Sequence, residues 1–125
     1  MTFAFLAVGA GAALGAWLRW GLATWLNPAL PSLPLGTLAA NIGGGYLVGI
    51  AVAFFSMNAS IAPEWRLAAV TGFLGALTTF STFSAESVQL LQAARYAAAV
   101  AHSAAHLLGA IAATALGFAT FKMLQ

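Results

Sequence analysis

Four apolar stretches, each long enough to cross a bilayer and separated only by short turns, decide what this chain can become. The hydrocarbon core of a membrane is about 30 Å thick, and about 20 helical residues span it. Stretches of that length occupy about residues 2–26, 35–57, 63–94 and 96–124. Charge is scarce: four Lys or Arg and two Asp or Glu stand among 125 residues, of which 62% are hydrophobic. A soluble domain carries roughly a quarter of its residues as charges. Lipid is the expected solvent, and the expected fold is an all-α membrane protein. One transmembrane domain of four helices covers residues 1–125.

The turns carry their own signals. Asn27-Pro28 ends the first helix, because proline disfavours helix at the residue before it. Pro28, Pro31 and Pro34 shape the first connection, with Ser32 a candidate N-cap, and Pro63 suits the first turn of the third helix. The first stretch lacks a basic leader, so it is expected to remain as an uncleaved helix. Cysteine is absent, which removes disulfide and thiolate chemistry. The cations form no cluster, so nucleic-acid binding is unsupported. Small residues recur four apart: Gly36, Ala40 and Gly44; Gly45 and Gly49; Gly109, Ala113 and Gly117; Gly11 and Gly15. Such ridges let helices approach closely in lipid.

A four-span chain places both termini on one side of the membrane. Arg66 and Lys122 fall on that side, Arg19 and Arg95 on the other. Orientation follows the asymmetry of Lys and Arg, and here there is none. Such a chain can insert both ways, and four helices are too few to enclose a pathway alone. An antiparallel, dual-topology homodimer is the expected assembly.

Polar residues at membrane depth are costly and point to function. Asn41 sits near the middle of the second helix with two N–H donors and one acceptor. The third helix carries Gly72-Phe73-Leu74-Gly75-Ala76-Leu77-Thr78-Thr79-Phe80-Ser81-Thr82-Phe83-Ser84. So many hydroxyls and glycines predict a third helix broken near its middle, between Gly75 and Thr79. Backbone of that kind is tolerated only inside protein or along a wet cavity. It would free carbonyls for a cation and amides for an anion. Ser81, Thr82 and Ser84 add donors. Phe80 and Phe83 share a helix face, and their ring edges are electropositive. With Arg19 as a fixed charge and no acidic ring, the inventory favours an anion. Glu86 lies past the polar stretch as a possible gate, or as a solvated or paired carboxylate. His102 and His106 are four apart, a weak metal site without a nearby carboxylate or Cys. Trp25 and Trp65 suit the membrane interface, while Trp17 and Trp20 lie deeper, where internal packing competes.

Three segments, Gly15 to Trp20, Gly36 to Asn41 with Gly44 and Gly49, and Gly72 to Phe83, resemble the Fluc/CrcB family of fluoride channels. The resemblance runs over essentially the whole chain. It implies an antiparallel homodimer with two separate fluoride pores in the cell inner (plasma) membrane. It further implies that Asn41, Phe80 and Phe83 line each pore, that Ser81 and Thr82 form a polar track, and that Arg19 stands in a vestibule. Thr114 fits that track, although Ala110 sits where some relatives carry serine. A structural Na+ at the dimer centre would be held by backbone carbonyls of Gly75 and Thr78. With no ATP-binding loop or catalytic constellation, transport is expected to be passive and non-enzymatic, exporting fluoride and so lowering its toxicity.

Rival readings differ in what they need. A small multidrug-type, proton-coupled exporter usually carries a mid-membrane carboxylate in its first helix, and none is there. A non-transporting assembly subunit explains the glycine ridges but not Asn41 with Phe80 and Phe83. A membrane enzyme built on His102 and His106 comes last.

Overall fold

The computed structural model describes residues 1–125 throughout. Helix α1 spans Thr2–Leu26 and runs into a short 3₁₀ turn, Asn27–Ala29. Helix α2 spans Leu35–Met57. Helix α3 covers 63–77 and changes pitch on the way, from an α turn at Pro63–Arg66 through a π-helical stretch, Leu67–Leu74, to a last α turn at Gly75–Leu77. Helix α4 spans Phe80–Gln92 and α5 spans Tyr96–Met123. Counting α3 and α4 as one crossing, 4 spans are long and apolar enough to traverse a membrane.

The proline rules operate as expected at Pro63, which opens α3. Ser32 does not cap α2. Asn27 does that work from across the turn, its Oδ1 accepting from the amides of Gly36 at 2.8 Å and Thr37 at 3.1 Å. Two orphan helix-start donors are thereby satisfied by one side chain. At the other end of the sequence, Ala94 adopts a left-handed conformation with φ 54°. That turn lets the Arg95 amide reach back to the Leu90 carbonyl at 2.9 Å and close α4.

Helix packing rests on backbone-to-backbone approach. A methyl group added at Gly49 would strike the Thr114 carbonyl, and one at Gly117 the Tyr46 carbonyl, so α2 and α5 meet at van der Waals distance along this seam. Gly11 and Gly15 of α1 sit likewise over the carbonyls of Ala68 and Phe73 on α3. These ridges are spent within the chain. In lipid such close packing is a principal source of helix association.

Between α3 and α4, helical geometry stops. Thr78 (φ −80°, ψ 153°) and Thr79 (φ −150°, ψ 118°) are extended, while Gly75 remains helical. Thr79 serves as the N-cap of α4, its Oγ1 accepting from the Thr82 amide at 3.1 Å. A threonine is a favoured residue there because its hydroxyl replaces a missing helical acceptor.

Two stability outcomes follow from these contacts. Gly117→Ala should lower the thermal midpoint in detergent micelles, by a cost of about 1–3 kcal/mol for overpacking; an unchanged midpoint would mean the α2–α5 seam is looser than described. Thr79→Ala should cost about 1 kcal/mol through the lost cap, with Thr79→Ser recovering most of it in the same melt.

Candidate ion pathway

The extended pair Thr78–Thr79 leaves backbone groups without helical partners at membrane depth, and Asn41 takes up those of Thr79. The Thr79 amide donates to Asn41 Oδ1 at 2.7 Å, and Asn41 Nδ2 donates to the Thr79 carbonyl at 2.9 Å. Because an amide N–H can only donate, the orientation of the Asn41 carboxamide is fixed. Its second N–H then points at His106 Nδ1, 2.9 Å away. Both Asn41 donors are committed inside the chain. His106 Nδ1 must accept, so the ring proton sits on Nε2, a buried atom with no partner.

A second polar chain runs beside the first. Glu86 Oε1 accepts from Thr37 Oγ1 at 2.6 Å, and Oε2 pairs with His102 Nε2 at 3.0 Å. His102 stacks on His106 with ring centroids 4.5 Å apart, and Phe83 lies against His106 at 4.8 Å. Glu86 is thus paired within the chain. The histidines do have a carboxylate close by in space: Glu86, His102 and His106 bring ligand-type atoms within 4.8 Å of one another. The polarity set by Asn41 works against a metal there, since His106 Nε2 offers a hydrogen where a metal needs a lone pair.

Of the residues singled out from the sequence, Arg19, Asn41, Thr78, Phe80, Thr82, Phe83 and Thr114 line three concavities that share wall residues, whereas Ser81, Glu86 and Gly75 line none of them. One, of about 400 Å³, is bounded by Arg19, Trp17, Trp20, Thr37, Thr79 and Thr82. The next, of about 460 Å³, is bounded by Asn41, Thr78, Thr79, Phe80, Phe83, Ser103 and His106, with Ala110 and Ile111 at one edge. Ala110 and Ile111 also border a third, of about 580 Å³, which holds Thr114. Thr79 is the wall common to the first two, so it stands at the junction between the arginine end and the phenylalanine end. Arg19 Nε donates to the Ala76 carbonyl at 2.9 Å, which fixes its guanidinium beside that junction. Trp17 and Trp20 are not packed internally but stand exposed on the face of α1.

Not every hydroxyl is a spare donor. Thr78, Ser84 and Thr114 each donate to a carbonyl four residues back, those of Leu74, Phe80 and Ala110. Thr79 Oγ1 donates to Thr82 Oγ1 at 3.1 Å, which leaves the Thr82 hydroxyl hydrogen free to turn outward. Ser81 is exposed, 3.3 Å from Thr79 Oγ1. Phe80 and Phe83 meet edge to face at 5.4 Å, and Phe80 is 78% exposed in this chain. Thr79 and His106 were not among the residues assigned to the pathway from sequence. Thr79 was hidden as one of many hydroxyls, and the partnership of His106 with Asn41 spans 65 positions.

Comparison with known proteins shows the family. The family model described as CrcB-like protein, Camphor Resistance (CrcB), matches residues 6–118. A fluoride-specific ion channel FluC of Ralstonia pickettii is 59% identical over 118 residues, which is 94% of each chain. The protein of that name in Chromohalobacter salexigens is 58% identical over 125 residues, covering 100% of this chain and 95% of the relative. That of Pseudomonas putida is 54% identical over 125 residues, covering 100% and 98%. With matches of this extent, and 4 membrane-spanning segments, the chain is a multi-pass bacterial inner-membrane protein and belongs to the CrcB family.

Proposed function

We propose that this protein is a fluoride-selective ion channel that lets fluoride leave the cell passively. The observation that carries the reading is the near-full-length similarity to proteins named fluoride-specific ion channels, at 54% to 59% identity. The run of adjoining concavities from Arg19 past Thr79 and Asn41 to Thr114 supports it. Fluoride is small and strongly hydrated, so a selective path must replace water with close, neutral donors while holding the ion weakly enough to release it. Arg19 would attract the anion at the vestibule. Ser81 and Thr82 would offer hydroxyl donors, and Phe80 and Phe83 the positive edges of their rings. Asn41 would fix the shape of the passage. An inside-negative potential favours anion exit by about 2.3 kcal/mol per 100 mV, so export needs no chemical energy and no enzyme. A proton-coupled exporter is disfavoured, because Glu86 is already paired with Thr37 and His102.

The working unit in this reading is an antiparallel homodimer with two pores. Support comes from the two-against-two split of cations and from the exposure of Phe80, whose ring stands at the open side of the Asn41 chamber. A second copy would close that side. The interruption of the third span at Thr78–Thr79 is the functional break, and it suits a central Na+. The amide of Thr79 goes to Asn41 and that of Thr82 to Thr79 Oγ1. The carbonyls of Gly75 and Thr78 therefore lack the amides a continuous helix would give them, and they would hold the ion from both subunits. Bound there, Na+ would offset repulsion among converging carbonyl dipoles.

Fluoride efflux from liposomes, followed with an electrode, tests the proposal. Rapid release that requires a potassium ionophore, with no matching chloride release, is the expected result; a folded protein that releases neither ion would overturn it. Asn41→Asp would set carboxylate oxygens against the Thr79 carbonyl and His106 Nδ1. It should lower fluoride flux by more than about tenfold, the scale of one buried mispaired polar group; unchanged flux would remove Asn41 from the pathway.

A further inference from the structure

We propose that His106 is a positioning residue for this pathway: its unprotonated Nδ1 holds the Asn41 carboxamide in the one orientation that pins the extended backbone at Thr79. The inference rests on the channel reading above. It begins with hydrogen-bond polarity. Thr79 grips Asn41 at both ends, amide to Oδ1 and carbonyl to Nδ2, leaving a single Asn41 hydrogen to place. His106 is the residue that receives it, at 2.9 Å, from a ring that is only 4% exposed. Without that acceptor, a buried N–H would face apolar surroundings, and the carboxamide would gain by rotating away from Thr79. The ring of His106 packs against His102 at 4.5 Å and Phe83 at 4.8 Å, and those two rings lie 5.4 Å from each other, so a three-ring cluster restrains where Nδ1 is presented.

The same geometry makes the contact conditional on proton occupancy. A doubly protonated imidazole would point N–H at N–H. Asn41 cannot answer by flipping, because the Thr79 amide holds its oxygen. Protonation of His106 would therefore release Asn41 from one side and loosen the junction. The groups facing His106 are few. His102 stacks on it from the same helix, and Glu86 approaches from α4. Helix α2 contributes Asn41 and no Asp, Glu, Lys, Arg or His. The charge from α1, Arg19, is bonded to Ala76 on the other side of Thr79.

The test compares three proteins in liposomes at about pH 7.5, with flux from protein-free liposomes subtracted, because protonated fluoride crosses bare lipid. His106→Asn places an amide oxygen where Nδ1 stood, and that oxygen can accept from Asn41. It should recover most of the wild-type flux. His106→Met fills the space without an acceptor and should conduct about tenfold less than wild type, the loss expected for one buried mispaired donor. A conducting wild type with His106→Met equally active would overturn this inference alone, as would a folded His106→Asn channel that conducts no better than His106→Met. If His106→Met fails to fold, His106→Leu takes its place, and a folded His106→Asn that conducts about tenfold less than wild type would likewise overturn the inference. A silent wild type would overturn the channel reading, and this inference with it.

Discussion

The pairing of Asn41 with the backbone of Thr79 is the interaction on which the rest of the structure depends. Inside a membrane, each unpaired backbone amide or carbonyl costs several kcal/mol, because no water is present to take its place. Two extended residues in a spanning segment would be prohibitive unless something supplied the missing bonds. Asn41 supplies both of them to Thr79 with one carboxamide. The Thr79 hydroxyl then starts α4, and Arg19 secures Ala76 just before the extended pair. A local departure from helix is thereby made compatible with lipid, and it brings polar groups to a place where helices would otherwise present only side-chain methyl groups.

The glycine seams serve this arrangement from outside. Asn41 reaches Thr79 only because α2 lies against both α5 and the third span, with Gly44 beside the Thr78 side chain and Gly45 and Gly49 against α5. The approach of α5 along that seam carries His106 to Asn41 and His102 to Glu86. Packing and polar satisfaction are therefore coupled. Loosening the seam would separate donors from acceptors that have no alternative partners.

Much of this was legible in the sequence, for reasons that can be named. The spans follow from hydrophobic length, and Pro28 and Pro63 mark turns through steric rules that act on neighbouring residues. Asn41 stood out as a costly polar group among apolar ones, and the density of Thr, Ser and Gly after Gly72 signalled a departure from regular helix. Sequence placed that departure only within five residues, whereas the extended residues are Thr78 and Thr79. What remained hidden were partnerships across long separations. Ser32 was the local candidate for a cap, but Asn27 folds back across the turn to cap α2 instead. The histidines lacked a neighbouring carboxylate in sequence, yet the fold sets Glu86 beside His102. Hydroxyl counts also overstated the donors, because Thr78, Ser84 and Thr114 spend theirs on carbonyls four residues back. Back-bonding of this kind depends on rotamers that composition does not encode.

Selectivity is the claim on which the functional account turns, since a path of neutral donors past phenylalanine edges is argued from the hydration of fluoride. The reversal potential of the purified channel in a planar bilayer measures it directly, with fluoride on one side and chloride on the other. The account predicts a current that reverses far from zero, at a voltage set by the fluoride gradient alone. A reversal near zero, with both anions carrying comparable current, would contradict it.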